Sequence, residues 1–283
     1  MPASRRGNAI KFKKREFPYH YVVKAYGVKI GVSTNAPDAL REITQRIANI
    51  LPEFEMLDRN ADADQRFFYI WNPSRRDTIY KNGETLLARA PREYALDQFE
   101  RDFRLTTAEF AVERVFLHAG VVSWKGKAIV MPAHSFQGKS TLTAELVQRG
   151  ALYFSDEYAI IDKDGFVHPF PKKLSIRGEI DEFTQLDHPV EKFGGAAGTE
   201  RAAVGLVLFS EYKPKARWDP KTLTAGEGVF ELIKYALPIR RDPSFVMDVL
   251  KKIASGSLIV KTKRGEVVEA ADRLIALFEE KCL

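Results

Sequence analysis

The sequence has one cysteine and no long apolar run. Cys282 stands alone among 283 residues, which excludes a disulfide within the chain and a cysteine-based metal site. No segment approaches eighteen consecutive apolar residues, which excludes a transmembrane helix and a membrane partner held by one. The first residues, MPASRRGNAIKFKKREF, have no apolar core typical of a secretory signal. These absences lead us to expect a protein of the reducing cytoplasm.

Histidine is also scarce and scattered. None of the five histidines has a spacing typical of zinc ligands, and they are His20, His118, His134, His168 and His188. The sequence contains no internal repeat or low-complexity tract. Hydrophobic residues make up 45% and charged residues 29%, an ordinary mixture for a globular protein. The length suits one large domain or two of ordinary size.

The net charge of +6 is concentrated at the start of the chain. Six cations crowd the first fifteen residues, namely Arg5, Arg6, Lys11, Lys13, Lys14 and Arg15. Such an arm could hold nucleic acid or an acidic partner, or it could be a solvated, frayed terminus. No RNA-type aromatic signature or helix-turn-helix spacing accompanies it, so the sequence does not favour nucleic acid as a partner.

The chain divides by pattern into a basic flexible arm at 1–16, a small α+β module at 17–110 and a larger domain at 111–283. In the module, β-branched and aromatic residues predict extended structure, apolar spacing predicts helices, and Asn82-Gly83 predicts a type I′ hairpin turn. The predicted segments are strands near 20–32 and 67–71, helices at 37–51 and 93–116, and a hairpin at 78–88. No residue of this module suggests chemistry.

The larger domain opens with a hairpin turned at Lys125-Gly126. A short helix over 140–150 follows, and Gly150 is its predicted stop. The next strand leads to an acidic pair and to a second hairpin turned at Asp164-Gly165. VGLVLFSEY, at 204–212, reads as a buried strand, and the remainder of the chain is predicted to be mostly helical.

The stretch VMPAHSFQGKSTLTAEL contains a relaxed form of the phosphate-loop pattern G-x-x-x-x-G-K-[ST]. Gly138, Lys139 and Ser140 match the pattern, while Ala133 replaces its first glycine. That glycine begins the turn, and alanine can fill the place if its φ stays negative. The motif lies between a predicted strand at 128–131 and a predicted helix. Such a loop aims backbone N–H groups and the helix N-terminus at phosphate, with lysine on the β and γ phosphates and the hydroxyl on Mg²⁺.

An acidic pair stands where such a site needs a metal-assisting carboxylate. Asp156 and Glu157 end the next apolar run after the loop. A strand-end turn with solvated charges is the alternative interpretation of these two residues. Because these two acids follow the phosphate-loop motif, we prefer the interpretation that they belong to a nucleotide site. The predicted nucleotide-binding residues are Ala133, His134, Ser135, Phe136, Gln137, Gly138, Lys139, Ser140 and Thr141, and the predicted Mg²⁺ ligands are Ser140 and Asp156.

Four motifs in order resemble the HPr serine kinase/phosphorylase family and its HPr-kinase-related branch. They lie at Leu117–Val122, Ala133–Ser140, Arg149–Glu157 and Leu174–Gly178, and the resemblance covers about residues 110–260. It implies an α/β P-loop kinase domain similar to ATP-dependent phosphoenolpyruvate carboxykinase, preceded here by the small α/β module. It further implies that MgATP phosphorylates a serine hydroxyl of a protein, peptide or small molecule. The family is hexameric, which suggests a homo-oligomer.

The resemblance and the residue chemistry together assign roles. Glu157 is the expected general base, and Asp156 helps to hold the metal. His118 could relay a proton or hold a phosphate oxygen, or it could be a buried histidine bonded to backbone. Arg177 has a planar fork suited to phosphate, or it pairs on the surface with Glu179 or Asp181. Arg241 resembles the arginine of the family's later mobile loop.

Several positions depart from the family pattern. Phe136 stands where a second loop glycine is common, Glu157 replaces an aspartate, and Ser175 replaces a glutamate. The reverse, phosphorolytic reaction is therefore implied less firmly than the kinase reaction. Two other interpretations stay open, namely a nucleotide-driven ATPase switch and a nucleotide-sensing regulatory module without a phosphorylated acceptor.

Overall fold

A computed structural model of the chain describes residue 12 and residues 14–134, 137–177 and 185–283. The chain is mixed α/β and divides into two compact units, Met1–Val112 and Glu113–Leu283. The sequence placed the division after residue 110. A short 3₁₀ helix, Lys14–Glu16, begins the described part of the first unit.

Within its described residues, the first unit contains a six-stranded sheet and two α-helices. Its elements are β1 (Tyr19–Ala25), β2 (Val28–Thr34), α1 (Pro37–Ile50), β3 (Glu55–Leu57), β4 (Gln65–Ile70), β5 (Arg76–Lys81), β6 (Glu84–Pro91) and α2 (Arg92–Phe110). The strand order is β3-β1-β2-β4-β5-β6, and β2 and β4 are parallel with α1 as the crossover between them.

Local sequence explains most of this unit. Pro37 occupies the first turn of α1, and Ala39, Ile43 and Ile47 recur at helical spacing on its buried face. At Asn82-Gly83 both residues have positive φ, 52° and 86°, so the type I′ hairpin between β5 and β6 is confirmed.

The sequence placed the end of the second helix too late. The predicted helix ran over 93–116, whereas α2 ends at Phe110. The backbone leaves helical geometry at Ala111, where ψ is 140°, and Glu113 then adopts a positive φ of 57°. The N–H of Val112 donates instead to the Tyr26 carbonyl at 2.8 Å. The apolar residues from 115 onwards belong to a strand.

The second unit contains ten strands and four helices in the described part of the chain. In order they are β7 (Arg114–Trp124), β8 (Lys127–Pro132), α3 (Lys139–Gln148), β9 (Leu152–Ser155), β10 (Tyr158–Asp162), β11 (Phe166–His168), β12 (Leu174–Arg177), β13 (Gln185–His188), β14 (Ala202–Tyr212), β15 (Lys221–Thr222), α4 (Ala225–Ile233), α5 (Pro243–Gly256), β16 (Leu258–Arg264) and α6 (Val267–Cys282). Two 3₁₀ helices, Val190–Phe193 and Leu237–Arg240, complete it.

The main sheet of this unit has the order β11-β10-β7-β8-β14-β16-β15, with β9 also paired to β7. Its central strands β8, β14 and β16 are parallel. Helices α3 and α6 pack on one face around Ile129, Leu146 and Phe278, and α4 and α5 pack on the other around Val130 and Leu250. The carboxyl ends of the parallel strands therefore meet at one edge, where open α/β sheets bind ligands.

The sequence missed β16. The region after residue 212 was expected to be mostly helical, but Leu258–Arg264 forms a strand parallel to β14. Its alternating buried and exposed residues are typical of a strand. It was hidden because α5 and α6, with helical periodicity, flank it directly.

None of the helices in the described part of the chain combines the length and apolarity needed to cross a membrane.

Candidate phosphate-binding site

The relaxed motif lies at a strand-to-helix junction. Strand β8 ends at Pro132, and α3 begins at Lys139, with residues 133–138 of the motif between them. Gly138 caps the helix in the left-handed region with φ 75°, which favours glycine. Loop and helix N-terminus thus have the local order that a phosphate cradle requires. The predicted contacts Ser135 and Phe136 lie outside the described residues.

The remaining loop residues are held by short-range contacts. Ala133 is buried, and its φ is negative, as a replacement for the first glycine requires. The N–H of His134 donates to Gln137 Oε1 at 3.0 Å, and the His134 ring lies 4.8 Å from that of Tyr235. Thr141, also a predicted contact, is exposed on the first turn of α3. Side-chain contacts therefore hold the described residues at both ends of the loop.

A buried arginine binds two backbone carbonyls of the loop and acts as a clamp on it. Arg264, 2% exposed at the end of β16, donates from Nη2 to the carbonyls of Gly138 at 2.9 Å and Gln137 at 3.4 Å. Burial lowers the pKa of Arg264 from its ordinary value. A Cβ on Gly138 would lie 2.2 Å from Nη2, so this glycine also leaves room for the clamp. Binding the two carbonyls favours a loop with its N–H groups turned the opposite way.

Lys139 extends from the helix start towards β7. Its Nζ lies 3.0 Å from Nε2 of His118, and burial lowers the pKa of Lys139 to about 8 although Asp156 and Glu157 oppose that shift. Gly120 gives the lysine stem its space, since a Cβ there would be 2.9 Å from the Lys139 Cγ. Two residues of the motif L-H-A-G therefore accommodate this lysine. His118 offers the lone pair of a ring nitrogen, and Gly120 leaves room for the lysine side chain.

His118 is neutral at ordinary pH. Burial and, to a lesser extent, the adjacent Lys139 charge lower the pKa of His118 to about 4. A neutral imidazole has one ring nitrogen free to accept, so Nε2 can receive a hydrogen from the lysine ammonium. His118 thus orients Lys139 in this arrangement.

The acidic pair stands at a break between two strands that share a partner. β9 and β10 both pair with β7, and Asp156 and Glu157 lie between them. The Ser155 hydroxyl accepts the N–H groups of Glu157 at 3.1 Å and Tyr158 at 3.0 Å, which fixes the turn. The break allows both carboxylates to leave the sheet at one place.

Asp156 is buried and well satisfied. It accepts hydrogen bonds from the Ser140 hydroxyl at 3.3 Å, the Tyr153 hydroxyl at 3.1 Å and the Ser175 N–H at 3.0 Å. Burial raises the pKa of Tyr153 well above its ordinary value, so the phenol remains a donor. Ser140 and Asp156 are sixteen residues apart in the chain, and their contact joins the loop to the acids.

Lys172, which the sequence did not single out, lies between the two acids. Its Nζ is 3.2 Å from Glu157 Oε2, 3.8 Å from Asp156 Oδ1 and 3.1 Å from the Ser175 hydroxyl. Ser175 therefore contacts Asp156 and Lys172, and its hydroxyl also donates to Asp187. Lys139 and Lys172 together balance the two carboxylates, so the described cluster is close to neutral.

The structure places the other two predicted cations only in part. The backbone of Arg177 ends β12, opposite Gln185, while its side chain and the suggested partners Glu179 and Asp181 lie outside the described residues. Arg241 is exposed and follows the 3₁₀ helix Leu237–Arg240. The start of that segment is tied to β7, because the His118 N–H donates to the Tyr235 carbonyl at 2.9 Å.

No group of three His, Cys, Asp or Glu side chains in the described ranges is arranged to hold a metal alone. The predicted ligand pair Ser140 and Asp156 would suit Mg²⁺, which commonly takes one or two protein oxygens together with water and phosphate oxygens.

Two site residues had weak signals in the sequence. Lys172 lies in the quoted run PFPKKLSIR, but nothing local indicates which of its lysines turns inwards. Arg264 follows an alternating strand pattern at a large distance from the loop, 126 residues beyond Gly138.

No protein-family model and no curated protein matches the sequence of this chain. Among solved structures, the HPr(Ser) kinase/phosphatase from Coxiella burnetii aligns with 16% identity and a TM-score of 0.33. The alignment covers 58% of this chain and 98% of that chain. A likeness at this TM-score supports no functional assignment.

Proposed function

We propose that this protein is an ATP-dependent kinase that transfers the γ-phosphate of MgATP to a serine hydroxyl of a protein, peptide or small molecule. Its second unit would be a P-loop kinase domain of the HPr kinase and phosphoenolpyruvate carboxykinase type. The four ordered motifs and the geometry of residues 118–175 support this proposal together.

One observation carries the proposal. The Ser140 hydroxyl, in the loop motif, bonds Asp156, which places the acids beside a helix start and a buried lysine. Phosphoryl transfer depends mainly on positioning and charge neutralisation, and these groups would contribute the positioning. A strand-end turn with solvated charges would leave Asp156 exposed, whereas it is 5% exposed.

The charge of the cluster fits a metal-bound triphosphate. Lys139 and Lys172 offset the carboxylates of Asp156 and Glu157, so these four described side chains alone have little excess charge to neutralise a triphosphate tail. Ser140 and Asp156 would hold Mg²⁺, and the ion would supply the missing positive charge beside the phosphates. The Ser140–Asp156 contact already pairs two oxygen ligands of the type that Mg²⁺ prefers.

The chain's own residues would then divide the work. Lys139 and the loop N–H groups hold the β and γ phosphates, with His118 orienting the lysine as a neutral acceptor. Glu157 accepts the proton of the incoming hydroxyl. Lys172, 3.2 Å from Glu157, holds that carboxylate in place. Arg177 and Arg241 are proposed as further cations towards the phosphate.

The first prediction tests these roles by substitution. Lys139→Ala and Asp156→Asn should each reduce phosphate transfer to less than about one hundredth, because each removes phosphate or metal contacts. Glu157→Gln should slow transfer by about 10²–10⁴-fold while MgATP binding persists, since only the base is lost. Mass spectrometry would detect one added phosphate on products of neighbouring genes and on seryl peptides. Calorimetry would measure nucleotide binding.

Lys251→Ala and Asp248→Asn are matched controls, because these residues form an exposed pair on α5. Both controls should retain activity. Full activity in all three site variants would contradict the proposal. ADP release that depends on Lys139 and Asp156 but yields no phosphorylated acceptor would indicate the ATPase switch instead, and binding without turnover would indicate the regulatory module.

A further inference from the structure

The two oxygens of the Asp156 carboxylate have different partners. Oδ2 accepts the Ser140 hydroxyl at 3.3 Å and the Ser175 N–H at 3.0 Å, so this oxygen contacts the phosphate-loop motif. Oδ1 accepts the Tyr153 hydroxyl at 3.1 Å and lies 3.8 Å from the ammonium of Lys172. One oxygen of this carboxylate therefore meets the predicted metal ligand Ser140, and the other meets a lysine.

The Lys172 ammonium is surrounded by oxygens. Besides Asp156, its Nζ lies 3.2 Å from Glu157 Oε2 and 3.1 Å from the Ser175 hydroxyl. An ammonium has three hydrogens to donate, and three side-chain oxygens face it. Carboxylate and hydroxyl oxygens are also the ligands that hard divalent ions prefer. Lys172 therefore occupies surroundings that would suit a second divalent ion.

The backbone on both sides of Lys172 is anchored. The Phe170 N–H donates to the Phe154 carbonyl at 2.9 Å, and the Phe170 ring is fully buried. On the other side, buried Leu174 begins β12, which pairs with β13. The Lys172 side chain is 13% exposed, whereas the adjacent Lys173 is exposed. The fold thus directs one particular lysine to the acidic pair.

The neighbouring charges make Lys172 the closest counter-ion of the acidic pair. Of the cations whose side chains the structure describes, Lys172 alone lies within salt-bridge distance of Asp156 or Glu157. A third carboxylate, Asp187, is exposed and accepts the Ser175 hydroxyl. The carboxylate of Glu157 is therefore compensated by a group that belongs to the chain itself.

We propose that the Lys172 ammonium is a built-in second cation of this site, so that the acidic pair admits one divalent ion, beside Ser140, instead of two. Sites of phosphoryl transfer often hold two divalent ions. Here a covalently tethered charge takes one of the two places. The inference rests on the proposed function, because it takes Ser140 and Asp156 as the place of the nucleotide's Mg²⁺.

The test counts metal ions on the full chain, without nucleotide and with Mn²⁺ as the probe. Lys172→Met removes the charge and keeps a long side chain. The unsubstituted protein should bind no more than one Mn²⁺ at this site. A second ion should bind to Lys172→Met at least about tenfold more tightly than to the unsubstituted protein. Calorimetry and the electron paramagnetic resonance of free Mn²⁺ measure stoichiometry and affinity.

Three further variants separate charge from structure. Lys172→Arg should keep the stoichiometry of the unsubstituted protein, because guanidinium supplies the same charge. Lys173→Met removes the charge of the exposed neighbour and should leave Mn²⁺ binding unchanged. Lys172→Gln removes the charge but can still donate a hydrogen bond, and it serves if Lys172→Met does not fold. Mn²⁺ should raise the Tm of Lys172→Gln more than that of the unsubstituted protein.

The remaining outcomes decide against the inference. Two Mn²⁺ ions at the acidic pair of the unsubstituted protein would overturn it, as would unchanged Mn²⁺ binding in folded Lys172→Met and Lys172→Gln. Loss of all Mn²⁺ binding in these variants would show that Lys172 only shapes the acidic pair. A separate titration with MgATP keeps the two proposals apart. Failure of the unsubstituted chain to bind MgATP would remove the proposed function, whereas the Mn²⁺ count addresses the role of Lys172.

Discussion

At the scale of single residues, Lys139 is held in an unusual electrostatic state. It is largely withdrawn from solvent and faces a neutral histidine, so burial outweighs the nearby carboxylates and its pKa falls to about 8. A lysine of this kind gains greatly from a phosphate, because the ligand supplies the negative charge that its surroundings provide only in part.

The pH dependence of nucleotide binding tests this state. The ammonium form binds phosphate and predominates below about pH 8, so MgATP affinity should be constant up to that pH and then fall by about tenfold per pH unit. Lys139→Arg should abolish that fall, because guanidinium stays protonated. Calorimetry between about pH 6.5 and pH 9.5 measures both proteins. A parallel decline in the arginine variant would assign the titration to another group.

The lowered pKa of Lys139 weakens phosphate binding at alkaline pH, but it should stabilise the folded state over the same range. The unfolded chain keeps its lysine protonated up to the ordinary value of 10.5, whereas the folded chain releases that proton near pH 8. The contribution of Lys139 to the free energy of unfolding should therefore rise with pH through this window. Comparing denaturant unfolding of the unsubstituted chain and Lys139→Met isolates that contribution.

At the scale of elements, β16 contacts the phosphate-loop motif through the side chain of Arg264. Arg264 at its end carries a buried charge, and no atom of the described chain bonds its Nε. A buried cation of this kind adds little net stability, because the cost of its desolvation offsets the gain from its hydrogen bonds. Its position under the carbonyls of Gln137 and Gly138 indicates a role in shaping the loop.

Arg264→Met should separate loop shape from stability. The apolar side chain fills similar space but donates no hydrogen bond, so amides at 137–140 should exchange faster and MgATP affinity should fall about tenfold. The free energy of unfolding should change by less than about 2 kcal/mol. Arg273→Met on the exposed face of α6 is the control. Unchanged exchange and affinity would show that the clamp has no functional role.

At the scale of the whole molecule, each unit has its own core. One buried cluster, including Ile43, Phe67 and Phe99, belongs to the first unit. Two clusters, one on each face of the main sheet, belong to the second unit. A unit with its own core can in principle fold alone.

We therefore expect residues 113–283 to fold cooperatively when expressed without the first unit. A single sigmoidal unfolding transition and dispersed amide signals would show this. A fragment beginning at Lys125 is the matched control, because it lacks β7, to which β8, β9 and β10 all pair. That shorter fragment should not fold. A disordered 113–283 fragment would contradict the division into two independently stable units.

Local signals in the sequence were sufficient for much of the fold. Asn82-Gly83 specifies its turn because both residues tolerate positive φ, and Ile43 and Ile47 specify α1 by their spacing. The relaxed phosphate-loop motif at 133–140 was visible in the sequence because its residues are consecutive, and its function stays a prediction. The strand β16 and the true end of α2 were not recognisable. Helices flank β16 directly, and the apolar residues that were predicted to extend α2 belong to the following strand.

The sequence by itself determined the chemical inventory of this protein: a lysine and hydroxyl after a glycine, and two acids after the next strand. Only the tertiary structure decided which groups meet. It brought Ser140 to Asp156, Lys172 to Glu157 and Arg264 beneath Gly138. Local propensity acts over a few residues, whereas these contacts depend on how the strands pair and on which side chains the sheet brings to one edge.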